Sequence, residues 1–149
     1  MLFRMRILKT IKLRFRVALF LLRLPLQLKR CSLPRLLTKL TPPAPRPLGL
    51  STDDVRRAVD SLVFRPPFRW RPFPRTCLQR ALALYRFLSL EGYAPQFSLG
   101  VARDRAAGKM DAHSRVLLDA KPFGEREDAQ GRYHEIYTYP TLTSTTSSS

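Results

Sequence analysis

Apolar positions Val55, Ala58, Val59, Leu62 and Val63 recur at the three- and four-residue spacing of a single helix face. Ser51 with Asp54 approximates a capping box ahead of them, and Asp53 and Asp54 suit a helix N-terminus, so STDDVRRAVDSLVF is predicted to be helical. A second helix is predicted from Cys77. Its stripe is Leu78, Ala81, Leu82, Tyr85 and Leu88, with Thr76 as the expected N-cap and Gly92 as the stop. Beyond Pro95 the period changes to two, since Phe97, Leu99 and Val101 alternate as a strand does. HSRVLLD (His113 to Asp119) reads as a second strand with a turn at Asp119–Lys121, and YHEIYTY (Tyr133 to Tyr139) as a third. Helices followed by consecutive strands predict an α+β fold.

The first forty residues follow another pattern. They are leucine-rich with basic residues threaded through, and Arg4, Arg6, Lys9, Lys12, Arg14 and Arg16 spread around most of a helical wheel instead of keeping to one face. The apolar run Val17–Leu22 is too short to span a bilayer, and no small-residue cleavage site of a secretory signal follows it. Residues 1–40 are therefore expected to be a basic helical arm, docked on the domain or on a partner, with contact to an anionic lipid surface or an acidic peptide as the sharper alternative. TPPAPRP makes residues 41–50 a proline-rich hinge. The main domain is expected over 51–140 and a disordered tail over 141–149. In RPPFRWRPFPR (Arg65 to Arg75) the prolines block regular structure, and Phe68, Trp70 and Phe73 are expected to pack on the core.

Composition adjusts this picture in two places. At 149 residues there is room for one domain. The net charge of +16 first suggests nucleic acid, but twelve of the 27 Lys and Arg lie before Leu50, where there is no acid. The rest is nearly balanced, which makes nucleic acid an unfavoured partner despite the Arg–aromatic interleaving of Arg65 to Arg75. Two cysteines make no disulfide framework and fit a reducing compartment. No zinc-ligand spacing, glycine-rich phosphate loop or internal repeat occurs.

Cys77 carries the candidate chemistry. A cysteine in the first turn of a helix meets the macrodipole and free backbone N–H groups, which favour the thiolate that attacks and can also hold an oxyanion. A base must lie within reach, and the chain has two histidines, His113 and His134. These residues alone prove little, since a free cysteine is more often a small buried hydrophobe than a nucleophile.

TCLQRALALYRFLSLEGYAPQFSLGVARD followed by DAHSRVLLDAKPFGE resembles the lasso-peptide maturation B protein family, microcin-processing leader peptidases of the transglutaminase-like superfamily. Cys77, Leu78, Ala81, Leu82, Ala83 and Leu84 match the nucleophile-helix motif. Gly92, Leu99, Gly100 and Val101 match the following elements, and His113 with Val116 matches the histidine strand. The resemblance covers about Ser51 to Pro140. It implies a papain/transglutaminase-like cysteine-hydrolase core, with Cys77 as nucleophile, His113 as base and Glu125 orienting the imidazole. Glu125 stands where the family usually has aspartate, twelve residues after the histidine; Asp119 is expected to serve the turn and Asp128 is a reserve. Projecting a hairpin that turns at Asp119–Lys121 places Glu125 across from Arg115.

His113-Ser114-Arg115 departs from the family's His-Ala-Trp, so its tryptophan is missing. The resemblance further implies a leader peptidase acting on a ribosomally made precursor peptide, with a separate leader-recognition protein and an ATP-dependent cyclase as partners. No cofactor or metal is expected in this chain, and the expected location is cytoplasmic or peripheral at the inner membrane face. A catalytically silent scaffold of the same fold and a nucleic-acid-binding protein stand as the rival readings.

Overall fold

The computed structural model describes residues 1–71, 73–104, 108–125 and 132–141. The tail beyond Thr141 and the reserve candidate Asp128 lie outside the described residues. Among the described residues, four helices, α1 (Leu2–Arg30), α2 (Leu33–Leu40), α3 (Thr52–Val63) and α4 (Thr76–Leu90), precede four strands, β1 (Gln96–Asp104), β2 (Lys109–Leu118), β3 (Lys121–Pro122) and β4 (His134–Tyr139). The strands form one antiparallel sheet in the order β3-β2-β1-β4. The chain is therefore α+β.

Helix α4 is central. Ala81, Leu82, Ala83, Leu84, Tyr85, Phe87 and Leu88 are all buried, more than one amphipathic stripe provides, because α1, α2, α3 and the sheet surround the helix. Its end is closed as expected: Gly92 takes φ +94 and the Tyr93 N–H reaches back to the Leu88 carbonyl at 3.0 Å, satisfying a carbonyl the helix leaves open. Helix α3 begins with a full capping box, in which the Asp54 N–H donates to Ser51 Oγ and the Ser51 N–H to the Asp54 carboxylate.

The N-terminal helix docks on this domain. Leu13, Val17, Leu21 and Leu24 are sealed against α3 and α4, and Phe20 meets Phe87 edge to face with centroids 5.8 Å apart. Helix α1 runs through Pro25, which has no N–H for the Leu21 carbonyl. Burial of Leu21, Leu24 and Leu28 on either side holds the helix together across that gap. The irregular stretch 41–50 is tied to α4: the Glu91 carboxylate accepts the N–H groups of Leu48, Gly49 and Leu50 at 2.9, 3.1 and 3.0 Å, and Arg86 donates to the Leu40 carbonyl.

The strands differ from the sequence reading in two respects. Strand β2 begins at Lys109, so His113 lies in its middle instead of opening it; residues Lys109–Ala112 lack alternation but pair with Val101–Asp104. The turn at Asp119 and Ala120 has both residues at positive φ (51 and 62), the two-residue hairpin geometry, and Lys121 already belongs to β3. Strand β4 adds to β1, not to β3, with a register shift at Leu99/Gly100. A bulge there bends the sheet beside His113, the Gly100 partner on β2. In the 65–75 loop, Phe68 and Phe73 pack together at 5.1 Å, but Trp70 is 62% exposed, because the turn closed by its N–H to the Pro67 carbonyl carries the indole outward.

Candidate active site

Cys77 is the second residue of α4, whose cap is Arg75, one residue earlier than the expected Thr76; the Gln79 N–H closes the first turn onto the Arg75 carbonyl at 3.0 Å. Among the described residues, no side chain caps this end. Its backbone N–H groups are thus left to the site. Buried Gln79 holds the approach, donating to the Phe68 and Pro74 carbonyls at 2.8 and 2.6 Å and so pinning the preceding loop to the first turn.

The sheet meets this helix end along an edge. Among the described residues, β3 pairs only with Leu117 and Leu118, and α4 packs against β2 beside His113 and Ser114. The Cys77 thiol adjoins His113 and the backbone N–H groups of Ser114 and Leu78, all of which favour its thiolate. Burial pushes the thiol up, but these three neighbours and the imidazolium charge outweigh it, and the thiol is held below its ordinary range.

His113 Nε2 lies 2.6 Å from Glu125 Oε1, which leaves Nδ1 to face the sulfur. The imidazole is 25% exposed and the carboxylate 8%. Hydrogen bonds to Cys77 and to Glu125 raise the His113 pKa to about 9 against the opposing effect of burial. Both shifts favour a thiolate–imidazolium pair, the reactive form of a cysteine nucleophile.

Glu125 arrives by a different route from the projected hairpin. Strand register sums to one less than expected, with Leu117 opposite Pro122, and the strand stops there. Gly124 then turns at φ +69, and its carbonyl accepts Arg80 Nη2 at 3.1 Å. A Cβ at Gly124 would stand 2.7 Å from that nitrogen and 2.9 Å from Arg56 Cδ. Arg80 itself is held by Asp60 on α3 at 2.6 Å. The helix that carries the nucleophile thus anchors the segment that carries the acid. Asp119 sits exposed in the hairpin turn, at the far end of β2 from His113. His134 opens β4, exposed, and takes no part among the described residues.

One member of the site escaped the sequence reading. The Tyr133 ring stacks on His113 with centroids 4.9 Å apart and planes 25° apart, and its hydroxyl donates to Asp111 at 2.9 Å. The aromatic missing after His113 is thus supplied from the other end of the sheet. The signal was Gly100: a Cβ there would come within 2.9 Å of Tyr133 Cβ, so the strand position beside His113 has to be bare for the ring to lie down. Arg75 approaches the same Asp111 at 3.8 Å from the helix side. Among the described residues, no cluster of His, Cys, Asp and Glu could hold a metal ion.

Residues 13–138 match the family model of the transglutaminase-like superfamily, a range that includes Cys77, His113 and Glu125. The chain belongs to that superfamily, which includes cysteine peptidases and transglutaminases. No curated protein and no solved structure matches the chain.

Proposed function

We propose that this member of the transglutaminase-like superfamily is a cysteine peptidase that removes the leader from a ribosomally synthesised lasso-peptide precursor. The observation that carries the reading is the Cys77–His113–Glu125 array: Glu125 hydrogen-bonds His113, and His113 adjoins and lowers the pKa of Cys77 in the first turn of α4, which no side chain among the described residues caps. A helix-borne thiol against an antiparallel sheet that supplies the imidazole supports the papain-like part of this reading. The motif resemblance over Ser51 to Pro140 supports the substrate class.

In this mechanism the Cys77 thiolate attacks the scissile carbonyl, and the tetrahedral oxyanion turns toward the first-turn N–H groups of α4. The His113 imidazolium protonates the departing amine as the C–N bond breaks, leaving a thioester on Cys77. Water, deprotonated by the now neutral His113, attacks the thioester; the leader leaves with a free carboxylate and the thiolate is restored. Glu125 and the Tyr133 ring hold the imidazole through both halves. ATP-dependent ring closure belongs to a separate cyclase and leader recognition to another polypeptide, and the reaction takes place in the cytoplasm.

The test is cleavage of a precursor by the purified chain with its leader-recognition protein, read by mass spectrometry. Cys77→Ala should abolish cleavage and leave precursor binding intact. Wild-type chain that binds precursor without ever cleaving it would establish the silent-scaffold alternative, which the His113-Ser114-Arg115 departure motivates.

A further inference from the structure

Helix α1 has two apolar faces. The buried one, Leu13, Val17, Leu21 and Leu24, is sealed in the core. Leu8, Ile11, Phe15, Leu19, Leu22 and Leu26 repeat at three- and four-residue spacing on the opposite side, at 65, 58, 70, 37, 56 and 52% exposure. At about 100° per residue the two stripes lie roughly 180° apart. The exposed stripe therefore cannot be satisfied by rolling the helix, because the other face is already committed to α3 and α4. Such a continuous apolar ridge on a protein surface marks a contact.

The residues around the ridge indicate its chemistry. Lys12, Arg16, Arg23 and Arg30 run along one flank, Arg14 lies on the other, and Arg4 and Lys29 stand at the two ends, all exposed. No carboxylate occurs in the chain before Asp53. On the wheel the charges spread around the helix, but docking sorts them: the core face is apolar and the free face is an apolar ridge bordered by cations. No helix among the described residues is long and apolar enough to cross a membrane, so a lipid contact would lie along the surface.

We propose that the free face of α1 seats the protein on an anionic lipid bilayer. Leu8, Ile11, Phe15, Leu19, Leu22 and Leu26 would enter the headgroup–acyl boundary, while the flanking Lys and Arg extend to the lipid phosphates. A bilayer asks for this combination of apolar ridge and positive border without shape complementarity. A second copy of the chain would bring an equally cationic border against it. The inference stands apart from the peptidase reading, since no residue of the site takes part.

The experiment is flotation of the purified full chain with phosphatidylcholine vesicles, with and without phosphatidylglycerol, at low and high salt. Wild type should float with the anionic vesicles only, and less at high salt. Phe15→Ser/Leu22→Ser keeps every charge and removes two exposed side chains; with its helical circular dichroism unchanged, it should partition about tenfold or more weakly. Lys12→Gln/Arg23→Gln should lose about fivefold per charge and show a shallower salt dependence. The proposal fails if wild type ignores the anionic vesicles, or if the serine variant floats as well as wild type, which would reduce binding to generic charge. Self-association, or capture of a partner protein, that the serine variant abolishes while wild type binds no vesicle would assign the ridge to a protein interface and overturn the proposal.

Discussion

Glu125→Gln keeps the shape of the side chain and removes its charge, and its consequence can be estimated from the geometry. The carboxylate bonds Nε2 at 2.6 Å and is 8% exposed, against 25% for the imidazole. Two unit charges about 4 Å apart at an effective dielectric near 20 attract by roughly 4 kcal/mol, an upper bound here because the ring is a quarter exposed. A neutral amide retains a hydrogen bond worth about 1 kcal/mol. The thiolate–imidazolium pair should therefore lose about 2–3 kcal/mol, a factor of roughly 30 to 150 in its stability. Iodoacetamide labelling reads this without any substrate, with Cys31 as the internal comparison. In wild type, Cys77 should label well ahead of Cys31 at neutral pH, on a plateau bounded above by His113 deprotonation near 9. Glu125→Gln should lower that plateau about tenfold to hundredfold and draw its upper edge toward the ordinary imidazole range. Asp119→Asn should change neither. An unchanged profile in Glu125→Gln, or Cys31 reacting as fast as Cys77 in wild type, would refute the assignment of these three side chains as one unit.

Tyr133→Leu removes the ring stacked on His113 and should cut Cys77 labelling about tenfold, while Tyr133→Phe, which loses only the bond to Asp111, should cut it about twofold to threefold. Equal rates in wild type and the leucine variant would show that the stack is idle. Leu21→Ala should cost about 2–5 kcal/mol in urea unfolding and Leu22→Ala next to nothing, since the first is sealed and the second 56% exposed; equal costs would remove α1 from the core. The pH dependence of stability has opposed contributions. His113, raised in the fold, stabilises fully below its unfolded value of about 6.5 and loses this as pH climbs through about 9. Cys77, lowered, stabilises above its unfolded value of about 8.5 and loses this as pH falls through its folded value. Cys77→Ala removes the second contribution, so its Tm should fall more steeply than that of wild type from about pH 6.5 upward, and parallel Tm curves would contradict the pairing.

Local pattern determined a good deal of this protein from sequence alone. Helices α3 and α4, the capping box at Ser51, the Gly92 stop, the tight turn after Leu118 and the alternating strand after Pro95 all follow from contacts within a few residues. A cysteine at the start of α4 could be singled out for the same reason, since a helix N-terminus is written in its own first turn. The tertiary structure decided whatever depends on distant segments meeting. Lys109–Ala112 has no strand pattern of its own and extends only because β1 supplies its hydrogen bonds. Tyr133 reaches His113 because β4 joins β1 and a bare Gly100 lies between them. Glu125 reaches the imidazole through the Gly124 turn held by Arg80, not through the hairpin register. The two leucine-rich faces of α1 look alike in the sequence, since burial is a property of a residue's neighbours. Only docking on α3 and α4 decided that Leu21 would be core and Leu22 surface.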